Sequence, residues 1–327
     1  MENQSIDQHL FLLTRLLFLY LSVLLLFSCT KEVEIDIPGY QEQLVVDGRI
    51  ETDGFPIVML SKSQNIYAAT DLSSYLQSFI EDAQVMVSDG SQSYELQLMY
   101  ASELPEESQK ILAEMLDVEF DEVFFFPIPV YSTIDPGAKG AVNKTYTLTI
   151  DHNGKTYSGE TTLFPPVPLT ELWFEPESSN PDYSFLYAKL SDPPNQYNAY
   201  KWEAKRINIQ ANGEELDTLF RTHINAYFDD QFFDGITFEF ATPNRQKRKD
   251  PNLLSDYKRY YHVGDSAVVK FSRMDRNVFD FFEKKAEQVN SSGNPFATPV
   301  NIPSNISGAL GIWAGFSPCY DTVYFTP

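Results

Sequence analysis

Ala83-Gln84-Val85-Met86-Val87-Ser88-Asp89-Gly90 and the return run Tyr94-Glu95-Leu96-Gln97-Leu98 decide the fold class. Apolar and polar side chains alternate in both runs, which is the period of a half-buried strand. Asp89-Gly90 between them signals a hairpin, because glycine adopts the positive φ that tight turns need. A second pair repeats the pattern: Tyr146-Thr147-Leu148-Thr149-Ile150, a turn at Asn153-Gly154, then Thr156-Tyr157-Ser158-Gly159-Glu160-Thr161. Short strands punctuated in this way predict an antiparallel β-sandwich.

Working outward, residues 44–50 form a β-branched opening strand, and 57–60 follow a Gly54-Phe55-Pro56 turn. Residues 105–117 place Ile111, Leu112 and Met115 at helical spacing with acids in the first turn, a short helix over one end of the sandwich. The aromatic run Val123-Phe124-Phe125-Phe126-Pro127-Ile128-Pro129-Val130 reads as a buried strand, with a ligand-facing patch as the alternative. Pro165-Pro166-Val167-Pro168 is stiff and extended, and serves as a linker. Beyond it, residues 171–175, 183–190, 200–210, 215–228 and 267–271 read as strands. Residues 276–290 form a helix with Val278, Phe281, Phe282 and Val289 at helical spacing, and 310–316 and 320–325 are two closing strands. The expected fold is mainly β. Residues 44–164 form an N-terminal immunoglobulin-like β-sandwich, 165–168 the linker, and 169–327 a second antiparallel β domain with one C-terminal helix.

The start of the chain is different. Residues 10–27 are almost wholly apolar, split by Arg15. The unbroken part, 16–27, suits a signal-peptide core and falls short of the roughly 20 residues that span a bilayer. An uncleaved membrane helix would bury Arg15, at a cost. Leu26-Phe27-Ser28-Cys29 resembles the bacterial lipoprotein signal, in which the cysteine is lipidated and the chain is cut before it. Residues 1–28 therefore read as a signal peptide and Cys29 as the membrane anchor. Residues 29–43 form an acidic tether. Its lysine followed by acids resembles the surface-export signal of Bacteroidota lipoproteins, which implies lipid anchoring at the outer membrane, on the cell surface.

Composition excludes some partners. A net charge of −22 repels nucleic acid, so none is expected as a ligand. With 43% hydrophobic and 14% aromatic residues, the chain can pack a core. If Cys29 is lipidated, Cys319 has no intrachain disulfide partner, and its apolar surroundings suggest a buried thiol rather than a nucleophile. His152, His223 and His262 are isolated, so zinc is not expected. The stretch Asp229-Asp230-Gln231-Phe232-Phe233-Asp234-Gly235 has the acids and glycine of a calcium loop. Counted from Asp230, however, Phe232 holds the third position and Ala241 the twelfth, where ligands belong, so it reads as a solvated turn. Asn244-Arg245-Gln246-Lys247-Arg248-Lys249-Asp250 is a basic island, an exposed loop or a dock for an acidic partner. No nucleotide-binding or nucleophile-elbow motif is present, and neither catalytic residues nor a cofactor are expected.

A longer pattern lies near the C-terminus. It runs Gly293-Asn294-Pro295-Phe296, Pro299-Val300-Asn301-Ile302-Pro303-Ser304-Asn305-Ile306, then Gly308-Ala309-Leu310-Gly311-Ile312-Trp313. It resembles the domain of unknown function 4249 family, lipoproteins of Bacteroidota. The strand Leu44-Val45-Val46-Asp47-Gly48 and both hairpins are also similar to that family, whereas its usual glycine pair is Gly308-Ala309 here. The resemblance implies an outer-membrane location and the company of TonB-dependent transporters. The motif suits an ordered loop packed on the sheet; as a ligand platform it would offer Asn301, Asn305 and Trp313. The expected function is non-enzymatic: a surface lipoprotein that serves a TonB-dependent transporter in nutrient capture, its small-molecule or glycan ligand unknown. An adhesion or envelope-scaffold module is the alternative. A hydrolase using a carboxylate pair is a third reading, which an acidic, aromatic-lined cleft would favour.

Overall fold

A computed structural model describes residues 41–64, 71–211, 213–244, 257–291 and 300–326. The signal segment, Cys29, most of the tether, residues 245–250 of the basic island and residues 293–299 of the C-terminal motif lie outside the described residues. The chain is mainly β. Its first half runs β1 (Leu44–Glu51), β2 (Ile57–Lys62), α1 (Leu72–Gln77), β3 (Gln84–Ser88), β4 (Ser93–Tyr100), α2 (Glu106–Leu116), β5 (Pro129–Ser132), β6 (Lys144–His152) and β7 (Lys155–Leu163). The second half runs β8 (Glu171–Phe174), β9 (Tyr183–Ser184), β10 (Leu186–Ser191), β11 (Ala199–Arg206), β12 (Arg221–Asp229), β13 (Thr237–Thr242), β14 (Tyr261–His262) and β15 (Ser266–Met274). It closes with α3 (Arg276–Ser291), β16 (Ile306–Ser307) and β17 (Leu310–Tyr324).

Both predicted hairpins form. β3 pairs with β4 across Asp89-Gly90, and β6 with β7 across Asn153-Gly154. Each opposes apolar side chains on one face, as the period of two dictates. Among the described residues, twelve strands join in the order β12-β11-β15-β17-β1-β2-β5-β4-β3-β6-β7-β16. The sheet folds over, so that Val46, Ile50 and Leu60 share a core with Val85, Leu148, Ile150, Leu163 and Trp313. A three-stranded sheet, β13-β10-β8, covers Tyr200, Trp202, Val269 and Phe271 in a second core. Helix α2 packs Leu112 and Ala113 on Ile57 and Met59. Helix α3 packs Val278 and Phe279 on Ile312, Ala314 and Phe316.

The Pro165–Pro168 segment lies between β7 and β8, yet strands from both sides of it share one sheet, because β1 pairs in parallel with β17. Two expectations are corrected. The closing strands 310–316 and 320–325 are one strand, β17, which continues through Pro318 opposite Ser272. The aromatic run is not a buried strand: Phe124, Phe125 and Phe126 are 43%, 66% and 41% exposed, and only Val123, Ile128, Pro129 and Val130 turn inward. Pro127 and Pro129 lack the N–H groups that a ladder needs, so pairing begins only at β5. β13 follows the Asp229–Gly235 turn, a stretch from which the sequence suggested no strand.

Candidate functional site: a charged sheet face and its cavity

In β1, Val46, Gly48 and Ile50 face the first core, which turns Asp47, Arg49 and Glu51 to the opposite face. In β11, Tyr200, Trp202 and Ala204 face the second core, which turns Lys201, Glu203 and Lys205 outward. The intervening strands align these rows. Glu203 stands opposite Lys270 on β15, and Glu51 and Arg49 stand opposite Phe316 and Ala314 on β17. One face of β1, β15 and β11 is therefore charged, with Ala314 and Phe316 of β17 between them, and α2 and α3 cover it.

The charges pair tightly. Arg49 donates to Glu51 through its guanidinium and lies 3.6 Å from Glu114 and 3.9 Å from Glu203. The Lys270 ammonium is 2.9 Å from Glu51, 3.7 Å from Glu114 and 4.0 Å from Glu203. Lys201 is 2.8 Å from Glu203, and both Lys201 and Arg49 sit 5.0 Å from the centre of the Phe316 ring. Glu203 is 1% exposed and Lys270 2%, so these pairs are shielded from water and salt.

Burial and pairing compete at each group. Burial would raise Glu51 and Glu203, but the surrounding cations win and hold both low, Glu203 at about 2. Burial lowers Lys201 to about 8 despite Glu203 beside it. For Lys270 the three glutamates outweigh burial and push the ammonium up. Glu114 goes the other way: burial raises its carboxyl, and one of its oxygens has no hydrogen-bond donor among the described residues.

A cavity of about 240 Å³ opens beside this cluster. Its polar lining includes Asp47, Arg49, Lys201, Glu203 and Glu114, and its walls are Phe220, Tyr227, Phe282 and Phe316. The Tyr227 and Phe282 rings stack 4.9 Å apart and nearly parallel, which joins β12 to α3. On α3, Phe282, Lys285, Ala286 and Val289 form the rim, one helical face at spacings of three and four. Asp47 is half-buried, and burial raises its carboxyl against the opposing pull of Lys285 and Arg49. Its carboxylate accepts no hydrogen bond among the described residues. A second cavity of about 490 Å³, lined by Glu51, Glu114, Phe220, Lys270 and Tyr320, lies across the cluster.

A family model matches residues 30–318. The chain belongs to the family described as a domain of unknown function (DUF4249). No curated protein and no solved structure matches the chain.

The family's C-terminal motif serves the scaffold in the described residues. Trp313 is fully buried and donates its indole N–H to the Tyr146 carbonyl. The Asn305 amide donates to the carbonyls of Glu160 and Trp313 and accepts from the Trp313 N–H, which ties β7 to β17. Asn301 is exposed, so these three are not gathered around one cavity. Cys29 lies outside the described residues. Cys319 is partly buried, with burial pushing its thiol up to about 11. The acidic turn gains a partner that its spacing did not reveal. Asp230 and Asp234 approach Asp192, with ligand oxygens within 4.8 Å of one another, close enough to share one hard cation. Internal donors already hold all three: Tyr200 and Gly235 hold Asp192, Asn198 holds Asp230, and Asn195 holds Asp234.

Sequence reasoning missed the charged face, although a signal was present. Asp47-x-Arg49-x-Glu51 and Lys201-x-Glu203-x-Lys205 place complementary charges on alternate residues of two strands. Read alone, each looks like a solvated face.

Proposed function

We propose that this chain is a lipid-anchored outer-membrane protein, exposed at the cell surface, that captures a small ligand in the cavity beside Asp47 and serves a TonB-dependent transporter. The observation that carries the capture step is the charged sheet face beneath α2 and α3, beside an aromatic-walled cavity. A face covered by helices is ordinarily apolar, since burying ions costs more than burying methyl groups. Charges kept there at that cost, with displaced pKa values, are concentrated at functional sites. The anchor rests on Cys29 and the apolar stretch before it, and the transporter on the family resemblance.

Binding is favoured over catalysis. The cleft is aromatic and holds several carboxylates, as a carboxylate-pair hydrolase would require, but as many cations line it. Such a hydrolase also needs one carboxyl free to give a proton and a second free to attack or activate water. Glu114 and Glu203 each lie within 4.0 Å of Lys270 and Arg49, and Asp117 pairs with Arg221 at 3.1 Å, so a cation engages each carboxylate that could assist Asp47.

Affinity purification from mildly solubilised outer membranes tests the partner: a TonB-dependent transporter should co-purify, and its repeated absence would sink that part of the reading. Cys29→Ala should move the folded protein out of the membrane fraction; retention there would overturn the anchor. Adhesion has one observation in its favour, the exposed Phe124-Phe125-Phe126 turn. It predicts that gene deletion weakens surface attachment and leaves uptake unchanged.

A further inference from the structure

We propose that the cavity receives a small zwitterion with an apolar side chain, a free amino acid or dipeptide, its ammonium against Asp47 and its carboxylate against Lys285. This rests on the capture reading and adds the ligand class.

Asp47 is the first ground. It lines the cavity, half-buried, on the same strand face as Arg49 and Glu51. Its two cationic neighbours are Lys285 and Arg49, and neither forms an ion pair with it among the described residues. Arg49 is already engaged by Glu51, Glu114 and Glu203. A half-buried carboxylate with no protein donor among the described residues has lost part of its water without replacement, and a ligand ammonium would supply what it lacks.

Lys285 is the second ground. It is exposed on the rim, projected from α3 beside Ala286 and Val289. Its ammonium lies 5.9 Å from the Phe282 ring centre and has no ion-pair partner among the described residues. The cavity thus offers an acid with no hydrogen-bond donor and, at its rim, a base with no ion-pair partner, each within the other's field but not in contact among the described residues.

Charge balance separates the ligand classes. Arg49, Lys201 and Lys270 are matched by Glu51, Glu114 and Glu203, so the cluster has no charge left to attract a simple ion. A lone amine would satisfy Asp47 and leave Lys285 unanswered; a lone carboxylate would do the reverse. A zwitterion satisfies both. The walls between them, Phe282, Tyr227 and Phe316, suit an apolar side chain. The volume of about 240 Å³ lies below the usual range of ligand pockets, roughly 300–1,000 Å³, which suits a monomer or dimer and not a polymer.

Calorimetry on the detergent-solubilised full-length protein tests this, with L-phenylalanine, L-alanyl-L-phenylalanine, phenethylamine and phenylpropionate as probes. At least one zwitterion should bind about tenfold or more tighter than either singly charged analogue. Asp47→Asn should weaken zwitterion and amine binding about tenfold or more and leave phenylpropionate unchanged; Lys285→Gln should weaken zwitterion and carboxylate binding and leave phenethylamine unchanged. Lys285 is exposed, so its variant keeps the proposal testable even if Asp47→Asn fails to fold. No zwitterion binding, equal binding of all four probes, or binding indifferent to both substitutions would overturn the proposal. Glucose is titrated in parallel against the wild type and an Ala286→Trp variant that fills the cavity. Glucose binding lost in Ala286→Trp, without zwitterion binding, would overturn the ligand class and leave the capture reading standing.

Discussion

Lys270 and Arg49 are the residues on which the charged face turns, since each reaches Glu51, Glu114 and Glu203. Lys270→Met would leave those carboxylates short of a buried counter-charge, and should cost about 3–5 kcal/mol, read as a lower urea midpoint. Acid sensitivity follows from the same cluster. Glu203 titrates at about 2 in the fold against an ordinary 4.5, so its contribution is full above pH 4.5 and is lost as pH falls from 4.5 towards 2. Glu51 is shifted in the same direction, whereas Glu114, raised by burial, partly opposes them. Lys201 acts at the alkaline end. With its value lowered to about 8 from 10.5, its burial penalty is present below pH 8 and is relieved as pH rises from 8 to 10.5. Urea midpoints measured against pH should show a Glu203→Gln variant with a flatter acid limb than the wild type. Cys319, with its thiol raised to about 11, should react with a disulfide reagent at neutral pH at least about tenfold more slowly in the folded protein than in the unfolded one.

At the scale of elements, local chemistry overrode pattern in two places. The stretch Val123 to Val130 has the composition of a core strand, but Pro127 and Pro129 interrupt its donors, and the three phenylalanines are left on a turn. Phe125→Ser should therefore change stability by no more than about 0.5 kcal/mol, whereas Val130→Ala should cost about 1–3 kcal/mol, both read from urea unfolding. In β17, Pro318 lies between the two closing strands that the sequence suggested, 310–316 and 320–325. It leaves a gap in a ladder that neighbouring residues on both sides sustain. Gly311 makes the pairing with β1 possible. Its φ is +101°, and a Cβ there would lie 1.9 Å from the Val46 carbonyl oxygen. Gly311→Ala should force β1 and β17 apart and cost about 4 kcal/mol or more, which thermal unfolding would detect.

At the scale of the whole molecule, the decisive feature is the β1–β17 pair, which joins strands that are almost a chain length apart. Trp313, from the C-terminal strand, fills the core of the first half, where Gly48 leaves room for its ring. A fragment of residues 44–164 would lack β17 and that tryptophan. Expressed alone it should show no cooperative unfolding transition, and adding residues 169–327 should restore one. A cooperative transition in the isolated fragment would show that the first half needs no partner. The fragment test bears on the site too, because the charged face draws Arg49 and Glu51 from one side of the proline segment and Lys201, Glu203 and Lys270 from the other.

Strands and turns were legible in the sequence because their causes are local. Alternation at period two, Asp-Gly and Asn-Gly turns, and helical spacing over residues 105–117 and 276–290 each depend on neighbours within a few positions. The family pattern was legible for the same reason, as Asn305 and Gly311 are short-range signs of a constrained backbone. The candidate site was not. Whether Asp47, Arg49 and Glu51 face water or a covered cavity depends on which strand lies beside β1 and which helices pack above it, and both are long-range choices. Sequence alone determined that β1 and β11 each have a charged face. Only the tertiary structure brought those two faces together under α2 and α3, where low dielectric converts ordinary surface charges into a buried, tightly coupled cluster beside a cavity.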